Sequence, residues 1–219
     1  IRTGQMLTLA KEDTLTIQPK GQFGRCYVAL QGGIDVPLIM GSRSTDIGAG
    51  FGGLDGRCIQ QNAIINSRLR NTRPLSYLKS TATTASLAVK TRFAMPELAG
   101  HFIRVITGPE YAYLTPSSQQ KMWQTDWQLS SESNRMGCRL IHSKDHGIAN
   151  DHWLELCDAQ ASLSHSMPSH AVIPGTIQLP PQGKPIILLA DCQTTGGYPR
   201  IGKVIEADLW RLAQMPAGS

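Results

Sequence analysis

The chain has 219 residues, 41% of them apolar and 17% charged, with 21 glycines and 13 prolines. That length can bury a core in one large or two small domains, and so much glycine and proline favours short strands joined by turns over long helices. The formal charge of +5 is not concentrated: Arg25, Arg43, Arg57, Arg68, Arg70 and Arg73 are scattered, no block of five basic residues exists, and no apolar run reaches eighteen. Neither a nucleic-acid nor a membrane partner is expected.

The sequence opens at Ile1 with no charged-then-apolar leader, and it reads as an excised piece of a longer chain. Leu7 and Leu9, then Leu15 and Ile17, alternate with polar neighbours, which predicts half-buried strands around a turn at Asp13 and Thr14. Arg25 to Leu30 predicts another strand, closed by Gln31, Gly32 and Gly33. From Met40 to Arg57 six glycines crowd the text MGSRSTDIGAGFGGLDGR. Such density lets main-chain N–H groups approach an anion, and Ser42, Arg43, Ser44 and Thr45 add side-chain donors for a carboxylate or phosphate. The lysine and hydroxyl of a Walker loop are missing, and a long plain turn remains the alternative.

The stretch 79–100, rich in serine, threonine and alanine at its start, reads as a linker or insert. It divides a β lobe at 1–78, carrying the glycine-rich loop, from a second β lobe at 101–219. His101 to Ile106 predicts a strand that ends in Thr107, Gly108, Pro109 and Glu110, where Glu110 is displayed as a base, a cation holder or a solvated turn residue. Thr115 before Pro116 predicts a helix N-terminus. Trp127 to Leu129 and Arg139 to Ile141 predict paired strands around a polar turn that projects Ser133, Asn134 and Arg135.

His142 and His146 have the spacing of metal ligands, but the residues between them are polar and no H-E-x-x-H occurs, so no metal site is expected. The five cysteines are widely spaced and odd in number, as free thiols in a reducing cytoplasm would be. Cys192 is either a nucleophile or a small packing residue; no histidine lies near it in sequence, which favours packing.

The C-terminal third carries the densest chemistry. Ala171 to Leu179 predicts strand, Pro174-Gly175 turn, strand; Ile186 to Ala190 predicts a buried strand; and Ile201 to Ile205 predicts its return. Between the last two, Asp191, Cys192, Gln193, Thr194, Thr195, Gly196, Gly197, Tyr198, Pro199 and Arg200 gather a carboxylate, an amide, hydroxyls, a phenol and a guanidinium around a Gly-Gly turn. Strands at both ends would hold those groups in place.

Five stretches, GGIDVPLIMGSRSTD from Gly32, TGPE from Thr107, SSESNRMGCRL from Ser130, VIPGTIQLPPQGKPI from Val172 and DCQTTGGYPRIGKVIEADLWRLAQ from Asp191, resemble in content and order the biotin-dependent carboxyltransferase family. That family includes the C subunit of 5-oxoprolinase, allophanate hydrolase subunit 2 and the KipA regulators. The resemblance implies a mainly β, cyclophilin-like β-barrel architecture with a few short helices. It implies a component of an ATP-dependent amidohydrolase complex that opens 5-oxoproline to glutamate. ATP would be shared with a KipI-like partner, the B subunit of 5-oxoprolinase, and an amidohydrolase-like third subunit, of the A type, would complete the system. Its alternatives are an allophanate- or urea-handling enzyme and a non-catalytic regulator that binds a kinase inhibitor. Opening an amide requires donors for the negative charge that develops on oxygen. On that reading Thr195, Gly196 and Gly197 supply main-chain N–H groups and Thr194 its hydroxyl; Asp191 or Glu110 moves a proton; Gln193 and Tyr198 orient the ring; and Arg43 or Arg135, with Ser44 and Asn134, holds the anionic group.

Overall fold

Thr115 caps a helix as its place before Pro116 requires: its hydroxyl oxygen accepts from Ser118 N–H, and helix α1 runs Pro116–Gln124. The computed structural model describes residues 7–18, 24–69, 102–142, 154–157 and 167–218. These fall into two compact units, one drawn from 1–13 and 27–93, the other from 14–26 and 94–219. The expected linker at 79–100 lies outside the described residues, as do His146, His152 and His165.

In the first unit a short hairpin pairs β1 (Thr45–Asp46) with β2 (Phe51–Gly52). Just before it, Ile39 and Ser42 exchange main-chain hydrogen bonds across Met40 and Gly41, both at positive φ, the two-residue turn that suits a strand pair's twist. The alternation at residues 7–17 and 25–30 does not yield strands. Leu7, Leu9, Ile17, Tyr27, Val28 and Leu30 are exposed, and no ladder forms there among the described residues. Alternation prepares a strand for a sheet, but a strand needs a partner to satisfy its main chain.

The second unit holds the core. Its strands are β3 (Val105–Thr107), β4 (Trp127–Leu129), β5 (Gly137–His142), β6 (His170–Ala171), β7 (Thr176–Gln178), β8 (Ile186–Leu188), β9 (Thr195–Gly196) and β10 (Arg200–Val204), followed by helix α2 (Glu206–Gln214). Six of them make one antiparallel sheet in the order β3-β10-β7-β8-β5-β4, and β6 pairs with β9 in a separate two-stranded ribbon. The sheet is curled into a half-barrel and the described residues hold two α-helices, as the mainly β expectation required. No helix among the described residues is long and apolar enough to cross a membrane.

Leu114, Met122, Leu129, Cys138, Leu140, Ile177, Leu179, Ile187, Leu189, Ile201, Val204 and Leu212 fill the core. The apolar run at 186–190 is buried from Ile187 to Leu189, which is why it reads as continuous rather than alternating.

Asp208, in the first turn of α2, is 1% exposed. Its carboxylate accepts from Arg104 N–H at 2.8 Å, Nε at 3.0 Å and Nη2 at 2.8 Å, fastening α2 to the segment that leads into β3. These Arg104 bonds hold the Asp208 carboxyl down at about 2 against the opposing effect of burial. A carboxylate depressed in the folded state stabilises the fold fully above its unfolded pKa of about 3.9, and that stability is lost as pH falls through about 2. Asp208→Asn should therefore cost about 1–3 kcal/mol at pH 7, and urea unfolding should show the gap to wild type closing between pH 4 and pH 2. A gap that stays constant over that range would deny the carboxylate this role.

Candidate functional site

Ten of the twelve residues singled out as site candidates lie in the second unit, around the loop 190–199 that joins β8 to β10. Both ends of that loop are fastened. At its start, Arg135 forks onto Asp191, with Nε to Oδ2 at 2.6 Å and Nη2 to Oδ1 at 2.9 Å, while Asp191 N–H donates to the Arg135 carbonyl. The turn 131–136 is thereby tied to the loop, and Leu189 N–H donating to the Met136 carbonyl adds to the tie. The fork's hydrogen bonds hold the Asp191 carboxyl below the usual range. Both side chains are about half exposed, so the pair sets geometry more than it adds stability.

At the loop's end the fastening is buried. Glu110 Oε2 accepts from Arg200 N–H at 2.9 Å and Nε at 3.0 Å, and Oε1 accepts from Nη2 at 2.8 Å. The two side chains are 9% and 27% exposed. Burial pushes the Glu110 carboxyl up, but the bonds from Arg200 outweigh it and leave it below its ordinary value. A carboxylate so occupied is a weak proton acceptor, which favours positioning over the general-base task weighed for Glu110. The main chain repeats the tie: Gly108 N–H donates to the Ile201 carbonyl, Glu110 N–H to the Arg200 carbonyl, and Leu179 N–H to the Pro199 carbonyl. A bulge follows Arg200, between it and Gly202 in the pairing with β7, a device that re-aims side chains beside sites.

Between these ends the candidates separate by role. Thr195 and Gly196 form β9, with Thr195 opposite Ala171 and Gly196 opposite His170, and the Thr194 carbonyl accepts from Val172 N–H. The ribbon thus engages the main chain proposed as a donor cluster. Gln193 and Thr194 are exposed, as is Tyr198, while Gly197 is half-buried. Gln193 Nε2 lies 3.4 Å from Gln178 Oε1. Asn134 is exposed and folds back on its own turn, its Oδ1 accepting from Met136 N–H at 2.8 Å and Gly137 N–H at 3.4 Å, so it shapes the turn that presents Arg135. Burial pushes the Cys192 thiol up, against nucleophilic use and in keeping with packing.

Arg43 and Ser44 belong to the first unit, and both are exposed. The glycines after them have work within that unit. A side chain at Gly53 would collide with Thr45 Oγ1 and one at Gly56 with the Gly50 main chain, so close packing already accounts for part of the glycine density. No group of three or more His, Cys, Asp or Glu that could hold a metal occurs among the described residues.

Two residues absent from the sequence-based set stand out. Gln178, 2% exposed, lies opposite Arg200 in the ladder, and its Nε2 has no hydrogen-bond partner among the described residues; His170, opposite Gly196, likewise has an Nε2 without a partner among them. An amide inside the buried run Thr176–Leu179 was the available signal, because a buried polar group costs free energy unless it is bonded.

This architecture has relatives. The chain is 39% identical over 216 residues to the C subunit of 5-oxoprolinase from Escherichia coli, a match covering 99% of this chain and 61% of that one. To the C subunit of 5-oxoprolinase from Haemophilus influenzae it is 36% identical, covering 100% and 59%. To urea amidolyase of Lachancea kluyveri it is 26% identical, covering 100% and 12%. Among solved structures, urea carboxylase of Kluyveromyces lactis superposes with a TM-score of 0.57 at 24% identity, covering 87% of this chain and 16% of that one, a likeness of fold. The chain therefore spans about three fifths of the length of the 5-oxoprolinase subunits it matches. All of residues 1–219 match the carboxyltransferase domain, subdomain A and B, and the protein belongs to that family.

Proposed function

We propose that this chain is the greater part of the C subunit of a 5-oxoprolinase, a hydrolase component that opens the cyclic amide of 5-oxoproline to glutamate in an ATP-dependent, cytoplasmic complex. The observation that carries the reading is the 39% identity across nearly the whole chain to a protein of that name. The partners are a KipI-like protein, the B subunit of the complex, and an amidohydrolase-like protein as its third member. ATP supplies the phosphoryl group that activates a poor electrophile. Arg135 and Arg200 are engaged by carboxylates, whereas Arg43 and Ser44 are exposed and suit an anionic group. We therefore assign the nucleotide chiefly to the KipI-like partner.

In this chain's share of the chemistry, the loop 190–199 faces substrate. Thr194, Thr195 and Gly197 place hydroxyl and N–H donors toward the developing oxyanion, Gln193 and Tyr198 orient the ring, and the Arg135–Asp191 fork sets the loop's height. Glu110 positions Arg200 and through it the loop's end. A urea-directed activity is the second reading, favoured by the match to urea amidolyase.

Mixing the full-length protein with its partner subunits should give ATP turnover that rises on addition of 5-oxoproline. Turnover with urea and none with 5-oxoproline would select the second reading. In the active complex Gln193→Ala and Asp191→Ala should each lower kcat/KM by about tenfold to a hundredfold; unchanged values for both would remove the loop from the mechanism. Glu110→Gln should lower kcat/KM while shifting unfolding, because the depressed Glu110 carboxyl stabilises the fold above the unfolded value of about 4.3 and loses that contribution as pH falls through its lower folded value. Thermal unfolding of wild type and variant should therefore differ at pH 7 and converge in acid, and parallel pH profiles would contradict the pairing.

A further inference from the structure

Gln178 and His170 meet at Gly196. In an antiparallel ladder, residues directly opposite project their side chains to the same face with Cβ atoms about 5 Å apart, so the His170 ring stands on the face toward which Gly196 would carry a side chain. A Cβ built on Gly196 would come within 2.5 Å of Gln178 Nε2. The Gln178 amide therefore occupies the space left by the missing side chain, on the face that the ladder also gives to the imidazole. Arg200 lies opposite Gln178 in the main sheet, which places the Glu110–Arg200 pair beside them.

The two unpartnered atoms are of opposite kind. His170 Nδ1 is 3.0 Å from the Pro168 carbonyl, and a carbonyl only accepts, so Nδ1 is the donor there and Nε2 is left as the acceptor of that tautomer. Gln178 Oε1 faces Gln193 Nε2, which directs the Gln178 NH2 group the other way as a donor. Both Nε2 atoms are closed to solvent and unbonded among the described residues. A buried donor beside a buried acceptor, neither satisfied, is costly as it stands, and it is complementary to a group that presents an acceptor and a donor side by side.

We propose that Gln178 and His170 recognise the edge of a cis-amide, the Gln178 amide donating to its carbonyl oxygen and His170 Nε2 accepting from its N–H. A lactam ring holds its N–H and C=O on one side in this way, and urea offers the same edge. The assignment rests on the 5-oxoprolinase reading for which cis-amide is turned over, and it names residues that recognise it. Access comes from parting the β6–β9 ribbon, whose ladder is two residue pairs long with one further bond from Val172 N–H to the Thr194 carbonyl. Ligand binding and loop position are thereby coupled.

The test uses the full-length protein, alone and assembled with its partner subunits, as wild type, Gln178→Met and His170→Asn. Gln178→Met keeps the side chain's length and removes the donor, together with the Oε1 that faces Gln193; His170→Asn keeps a donor able to reach the Pro168 carbonyl and removes the acceptor. Both should raise KM for 5-oxoproline by about tenfold or more, and both should weaken 5-oxoproline binding measured by calorimetry. Gln178→Met should leave Tm unchanged or higher, since the N–H it removes has no partner in the free protein. Unchanged KM in a complex that turns over 5-oxoproline overturns the assignment and leaves the 5-oxoprolinase reading intact, as does a lowered Tm with KM unaltered. If wild type shows no turnover of 5-oxoproline, the 5-oxoprolinase reading fails instead. The recognition site then stands if 5-oxoproline or urea binds wild type and loses about tenfold in affinity in Gln178→Met, and it falls if neither binds.

Discussion

The candidate site depends on the Glu110–Arg200 pair. Taking a carboxylate and a guanidinium out of water is costly, and their attraction offsets that cost only when the geometry is good and the oxygens are fully bonded. Here three N–H groups of one residue converge on one carboxylate, a main-chain N–H among them. Because the main chain itself takes part, the pair fixes where β10 begins as well as where a side chain points. It also joins the turn 107–110 to the strand on which the loop 190–199 lands. Removing either partner would leave the other buried with unmet hydrogen-bonding capacity, so the end of the loop has one well-defined position.

The loop's start is held differently, and the contrast has a dynamic consequence. Arg135 and Asp191 form a fork of similar geometry, but with both side chains about half in water their attraction is screened. One end of the loop is therefore anchored in the core and the other is latched at the surface. Between them the only ladder among the described residues is the two-residue ribbon of β9 with β6, too short to be rigid alone. Displacement of the loop should pivot near Pro199, which is buried, and release first at Asp191. Local opening of this kind draws on the least stable part of a fold and leaves the sheet intact.

Much of the second unit was legible in its sequence because each signal there was local. Thr115 and Pro116 carry their cap in two residues, and the run Ile187 to Leu189 is buried as its composition requires. The turn at Pro174 and Gly175 lies between β6 and β7 as expected. The fastening of the loop was not legible, because Glu110 and Arg200 are 90 residues apart and nothing in either neighbourhood specifies the other. The same separation hid Arg104 and Asp208, 104 residues apart. At residues 7–17 the failure ran the other way: the alternation there was genuine, but no partner strand among the described residues makes use of it. Nothing in the sequence separates His170 from the other loop histidines, because its significance lies in standing opposite Gly196, a fact of register rather than of spacing.

The distribution of charge around the loop also bears on the kind of ligand it suits. Glu110, Arg200, Asp191 and Arg135 are the charged groups that fasten the loop's two ends, and each is bonded to another of the four. What they leave at the centre is free of carboxylate and guanidinium: the Gln178 amide, the imidazole of His170, threonine hydroxyls and glycine main chain. Neutral donors and acceptors bind a charged group poorly once water is excluded, but they match an uncharged amide bond for bond, because neither side then carries a large desolvation cost. An anionic substituent on the same ligand would have to be met elsewhere, by a group not committed to a carboxylate. The scaffold's use of charge for fastening and of neutral groups for contact is thus itself a statement of preference, in favour of ligands whose reacting bond is uncharged.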